Sequence, residues 1–231
     1  MKLLRTVIAF IAIPAVMALA YSLGVAFMSF SSSAGFAYMP FWLGIIAYIL
    51  FQAVFHKPMR TYVFGHELTH ALAGILSGAT IKRFKAGKNS GHVLLDKDNV
   101  WITLAPYFFP IYAFAITICY IFLGWFIDIK LFYPYFLFFI GLTVAFHIAL
   151  TWYILRTQQP DLKVYGVFFS LVVTAAMNLI FFSILAALVF PGEMKIFSIL
   201  IDAIKNTWAI YSYLISGIKI IFDTIITPVR R

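Results

Sequence analysis

The residues best suited to chemistry are two histidines four apart with a glutamate beside the first, His66-Glu67-Leu68-Thr69-His70. On a helix, positions i and i+4 share a face one turn apart, so both imidazoles can reach one zinc ion. Glu67 can take the proton from a water that zinc acidifies toward neutrality, while the ion polarises a substrate carbonyl. The chain holds five His and two Glu, and chance placement would give this arrangement in about one such chain in a thousand. The bland account is a pair of histidines hydrogen-bonded across helices with Glu67 as their buried partner; a role in proton transfer is a further one.

Zinc needs another protein ligand, and few residues offer one. Asp161, in Gln158-Gln159-Pro160-Asp161-Leu162, follows a proline that should interrupt helical structure and free the carboxylate to approach the ion. Its ordinary alternative is a helix N-cap. His147 sits inside an apolar run, where it could ligate or support a ligand, although a lone bundle histidine is more often a packing residue. Asp96, Asp98, His92 and His56 read as surface residues, and Cys119 excludes a multi-cysteine site because it is the only cysteine.

These residues must be positioned by a membrane-embedded scaffold. Of the 231 residues, 64% are hydrophobic and 11% charged, and the mean hydropathy is +0.99. Soluble domains are nearer a quarter charged. Ionisable groups at membrane depth are costly, which favours a functional reading of the motif. The net charge of +9 sits in short clusters beside apolar segments, which reads as topology and contact with anionic headgroups rather than nucleic acid. Residues 1–21 resemble a secretory signal, but the apolar run continues to about residue 30, so a retained helix is expected.

Apolar segments cover residues 6–30, 36–55, 62–76, 100–124, 131–155 and 164–190. Most reach the roughly 20 residues that cross a bilayer, and the runs lack period-2 alternation, so helices are expected. The polar insert 79–99 alternates on both sides of Asn89-Ser90-Gly91 and reads as a β-hairpin. Residues 195–227 carry polar groups at helical spacing. They form an amphipathic helix that lies along the interface or spans as a packed helix, with the balance slightly toward the interface. The expected fold is therefore a single all-α polytopic domain over residues 1–231, with about six transmembrane or re-entrant helices, this C-terminal helix and a short β-hairpin after the motif. The positive-inside rule leaves one conflict: if 61–77 spans, the basic residues at the N-terminus and near Arg60 fall outside; if it is re-entrant, every basic cluster is inside.

With these features in view, the chain resembles the site-2 protease family of intramembrane zinc metalloproteases. The similarity runs over residues 62–178. It is carried by Gly65-His66-Glu67-Leu68-Thr69-His70-Ala71, by Gly78-Ala79-Thr80 and the strand after it, by Gly91-His92-Val93, and by Ala105-Pro106-Tyr107. The resemblance implies that Gln159-Pro160-Asp161 is the counterpart of the family's Asn-Pro-Asp-Gly element, with Asp161 as third zinc ligand and Gln159 as a contact to the substrate carbonyl. Gln stands for Asn here and Leu162 for Gly. It further implies a hairpin that presents substrate as an added strand, with Phe84 and Lys85 on the presenting edge; an equally ordinary role for the hairpin is a positively charged cover on anionic headgroups. There is no room for a PDZ or CBS domain, so a minimal member is expected.

The implied function is a zinc metalloendopeptidase binding one Zn2+ per chain. Its substrate would be the transmembrane segment of another protein, cut near the cytoplasmic surface of a bacterial inner membrane, with Glu67 as catalytic base. Two other classes remain open. One is a non-proteolytic zinc-binding membrane protein, against which Glu67 argues, because a structural site closes all four positions with protein. The other is a transporter, which would show paired repeats and several intramembrane charges.

Overall fold

The computed structural model describes residues 1–33, 35–55, 57–87, 90–157 and 159–225. Expectations that fall on His56, Lys88, Asn89, Gln158 and the tail with Arg230 and Arg231 lie outside the described residues. In chain order the elements are α1 (Lys2–Ser33), α2 (Met39–Val54), α3 (Met59–Leu76), β1 (Ile81–Ala86), β2 (Gly91–Leu95), α4 (Val100–Leu104), α5 (Ile111–Leu123), α6 (Tyr133–Leu155), α7 (Pro160–Tyr165), α8 (Val167–Val189) and α9 (Ile196–Ile225). Four helices, at Lys2–Ser29, Phe36–Val54, Lys130–Leu155 and Val167–Val189, are long and apolar enough to cross a membrane. The pair Val100–Tyr107 and Ile111–Leu123, bent by 84°, would make a fifth if it counts as one span.

The run 100–124, expected as one apolar segment, is thus broken. Pro106 lies in a 3-10 turn at Ala105–Tyr107, and Pro110 precedes α5. Each proline lacks the N–H that would continue the ladder, so the chain turns where the two flank Tyr107, Phe108 and Phe109.

Contacts between side chains fix the helix directions. Tyr48 meets Phe146 with ring centroids 5.7 Å apart, and Gly44 and Gly141 meet the backbones of Phe138 and Phe41, which makes α2 and α6 parallel. A Cβ on either glycine would lie 1.9 Å from a carbonyl oxygen of the facing helix, so only glycine allows this approach. Arg5 lies over the Tyr165 ring at 4.8 Å, Phe10 meets Phe168 at 4.7 Å near the start of both helices, and Leu23 and Phe27 share a pocket with Leu185 and Val189 near their ends, so α1 runs parallel to α8. Asn206 donates to Ser22 at 3.0 Å and Tyr211 to the carbonyl of Ile11, so α9 runs antiparallel along α1. α5 and α8 run opposite to α6: Tyr112 meets Phe146 (5.5 Å) and Tyr120 meets Phe136 (4.1 Å), while the Tyr133 hydroxyl donates to the Val189 carbonyl (2.8 Å) and His147 faces Asn178 (3.3 Å).

One end of the bundle therefore carries Lys2, Arg5, Lys57, Arg60, Arg156, Lys163 and Lys219. The other carries Asp128, Lys130, Glu193, Lys195, Asp202 and Lys205. A buried apolar cluster near the second end joins Phe41, Leu137, Ile140, Leu185 and Val189, and smaller clusters surround α3 and Tyr107.

The expected hairpin forms, with β1 and β2 antiparallel and a bulge between Ile81 and Arg83. It is launched by the end of α3. Gly78 adopts φ +71, the N–H of Ala79 bonds the Gly74 carbonyl at 2.8 Å and that of Gly78 bonds Ile75 at 2.9 Å, a pair of bonds that closes a helix with glycine in the left-handed region.

Candidate metal centre

α3 brings His66 and His70 to one face, their ring centroids 4.9 Å apart. α7 supplies the third group. Pro160 takes the first helical position, where its missing N–H is harmless, so Asp161 lies in the first turn rather than acting as the N-cap, a place held by Gln159. Nε2 of His66 and Nε2 of His70 each lie 3.7 Å from Asp161 Oδ2. The three donor atoms fall within 4.8 Å of one another. A tetrahedral ion with bonds of about 2.0–2.2 Å needs donors roughly 3.3–3.6 Å apart, so a small inward adjustment would complete the geometry. The donor set, two imidazoles and a carboxylate, fits a metal ion.

Neighbouring groups orient each donor. His70 Nδ1 is 2.8 Å from the carbonyl oxygen of Ile102, which can only accept, so Nδ1 carries the proton and Nε2 keeps its lone pair for the ion. Ile102 is itself held by Asn99, the N-cap of α4, whose side chain accepts from the Ile102 N–H at 2.8 Å. The Tyr62 hydroxyl lies 3.5 Å from His66 Nδ1. Tyr107 donates to Asp161 Oδ2 at 2.7 Å. Burial alone would raise the Asp161 carboxyl, but the facing imidazoles of His66 and His70 and the Tyr107 hydroxyl outweigh it and hold the group below the usual carboxylate range.

The three donors border a cavity of about 570 Å³ that also takes in Glu67, Gln159, Lys97, Ser90 and every residue of β2 from Gly91 to Leu95. Glu67 is 6% exposed and packs against Gly91, where an added Cβ would lie 2.6 Å from its Cγ and 2.9 Å from its Oε1. The strand along the cavity is thus β2, not the β1 residues Phe84 and Lys85 expected to present substrate. Phe84 instead packs on Phe64 at 6.2 Å, and Lys85 pairs with His92 across the hairpin. His92 is exposed, as expected, yet it borders the cavity, and so does Asp98, whose carboxylate accepts from Thr103 at 2.6 Å.

His147 does not join the donor group. It is buried behind His66, with Nε2 directed at Asn178 Oδ1. Gln159 lines the cavity, its amide donating to Thr157 and its Oε1 3.5 Å from the Tyr107 hydroxyl. Sequence reasoning missed Tyr107, Asn178, Asn99 and Gly91. Two carried signals: Tyr107 stands between prolines, and Asn178 is an amide in a long apolar run.

In comparisons with known proteins, no family model, no curated protein and no solved structure matches this chain.

Proposed function

We propose that the chain is a membrane-embedded zinc endopeptidase of site-2 protease type that hydrolyses peptide bonds of membrane-protein substrates. The observation that carries this reading is the convergence of His66, His70 and Asp161 at 3.7 Å beside a cavity bordered by Glu67. A structural zinc site closes all four positions with protein, whereas three donors facing a 570 Å³ cavity leave one side open to reactants.

His66, His70 and Asp161 would hold the ion. Bound there, it supplies a Lewis acid that polarises the scissile carbonyl and makes water acidic enough to attack it near neutral pH. Glu67 accepts a proton on its carboxylate from the attacking water as the new C–O bond forms, then returns it to the leaving nitrogen as the peptide C–N bond breaks. Its packing against Gly91 holds the carboxylate at the cavity wall. The wall from Ser90 to Leu95 exposes the edge of β2 that is not paired with β1, which suits an extended peptide added as a strand.

Seven basic side chains mark the site-bearing end of the bundle, which under the positive-inside rule supports a site on the cytoplasmic side. α2 ends there and α5 ends at the other side, so the segment between them, including α3, makes one net passage. That reading keeps the basic residues at the N-terminus and near Arg60 together on one side.

The test is elemental analysis of the detergent-purified protein together with cleavage of a panel of single-span helices. Wild type should hold about one zinc per chain. His66→Ala and Asp161→Ala should lose it, and Glu67→Gln should keep the metal without cutting. A wild type that stays metal-free under zinc-replete conditions would sink the proposal.

A further inference from the structure

Tyr107 is fully buried, and its contacts converge on two of the three donors. Its hydroxyl donates to Asp161 Oδ2 at 2.7 Å, and its ring stands edge-on to His66 with centroids 5.3 Å apart. Its main chain is pinned as well: the carbonyl accepts from Asn178 Nδ2 at 2.9 Å, and the same amide nitrogen donates to Thr174 at 2.9 Å. Asn178 Oδ1 in turn faces His147 Nε2 at 3.3 Å. A neutral imidazole that donates from Nε2 fixes which way the amide points, which explains why a buried histidine stands outside the donor group.

We infer that Tyr107 is a positioning residue for the third metal donor, clamped by an Asn178–His147 pair and carried to the site by the proline-flanked break between α4 and α5. The inference rests on the metal-site reading above. Asp161 sits in a helix of six residues, Pro160–Tyr165, too short to hold a carboxylate by its own stiffness. A hydrogen bond to one carboxylate oxygen fixes the rotation of that group and shares its charge, the role outer partners play at metal sites. The broken helix then has a purpose, because an unbroken helix would not turn the Tyr107 hydroxyl and the Tyr107 carbonyl to partners on two different elements.

The experiment measures zinc affinity of the full chain in detergent by competition with a chromophoric chelator, and the visible spectrum of the Co2+ form. Tyr107→Phe keeps the ring and removes only the hydroxyl; it should weaken zinc by about 10–100-fold and shift the cobalt bands. Tyr133→Phe removes a hydroxyl bonded to the Val189 carbonyl at 2.8 Å, outside the site, and should change neither. Asn178→Ala loosens the Tyr107 carbonyl without touching the hydroxyl and should give a smaller loss, which decides the matter if Tyr107→Phe does not fold. Wild-type affinity and an unchanged spectrum in Tyr107→Phe, with zinc lost in Asp161→Asn, would overturn this role and leave the metal site standing. A wild type that binds neither metal overturns both.

Discussion

Gly91 decides how closely the second strand approaches the Glu67 carboxylate. An alanine there would place a methyl carbon 2.6 Å from Glu67 Cγ and 2.7 Å from the Lys85 carbonyl, so either the hairpin or the carboxylate must move. A displacement of about 1 Å at a reacting group can cost on the order of 100-fold in rate. Gly91→Ala should therefore keep its zinc while cleavage falls by roughly that factor, read by elemental analysis and single-turnover cleavage; loss of zinc as well would mean that the strand also holds the donors in place. At this scale the motif residues were legible because i and i+4 imply a shared face before any tertiary structure is known. Asp161 was legible through Pro160. Tyr107 and Ile102 were not, because a hydroxyl 54 positions from its carboxylate and a carbonyl 32 positions from its imidazole leave no local pattern. For His147 the sequence favoured a packing role over ligation, and its ring faces the amide of Asn178 rather than the donor group.

Among the elements, the hairpin and the broken helix respond to different forces. The base of the hairpin is tied by Asp96, whose Oδ1 accepts from the Thr80 N–H at 2.8 Å. That backbone hydrogen bond, with the charges of Lys97 and Lys82, holds the exposed carboxyl below its ordinary value. A depressed folded-state pKa means the bond stabilises the hairpin above the unfolded carboxyl's range, about pH 4, and the stabilisation disappears as pH falls through the lower folded value. Protection of the Thr80 amide, its exchange compared with an unstructured amide at the same pH, should fall in that acid window in the wild type; Asp96→Ala should lose the protection at neutral pH, and Asp96→Asn, whose Oδ1 still accepts, should lose the acid step, so an acid step that persists in Asp96→Asn would assign it elsewhere. Alternation and the Asn-Ser-Gly sequence made the hairpin readable. The run at 100–124 misled because hydropathy sums over both sides of Pro106 and Pro110 and cannot register an 84° bend. The edge facing the cavity was also hidden, since period 2 assigns faces of a strand and says nothing of which edge is left unpaired.

The whole molecule is organised by which helix ends share a side. α9 lies antiparallel along α1, with Asn206 satisfied by Ser22 and Thr207 by the Ala203 carbonyl, so polar residues near its middle have internal partners. Asp202 and Lys205 sit toward one end of that pairing and Lys219 toward the other. We therefore expect α9 to cross the membrane beside α1 rather than lie in the interface, which the polar spacing alone had slightly favoured. In a Cys119→Ser background, Lys219→Cys should react with a membrane-impermeant maleimide from the same side as Lys2→Cys, and Lys195→Cys from the opposite side. Labelling of Lys219→Cys and Lys195→Cys from one common side would return α9 to the surface. Composition made the membrane class readable, but the parallel and antiparallel pairings depend on contacts such as Gly44 with Phe138, which no local pattern encodes.

The pairing of α1 with α8 and α9 also bears on how the protein is made. Those partners begin at Val167 and Ile196, whereas α1 ends at Ser33. At synthesis rates of about 5–20 residues per second, α1 is complete roughly 7–27 seconds before the first of these partners begins. A nascent chain halted just before Val167 already holds His66, Glu67, His70 and Asp161, yet it lacks Asn178 and both helices against which α1 packs. The donors are thus complete in sequence before the clamp on Tyr107 exists, and the order of translation makes assembly of the bundle the last step in building the site.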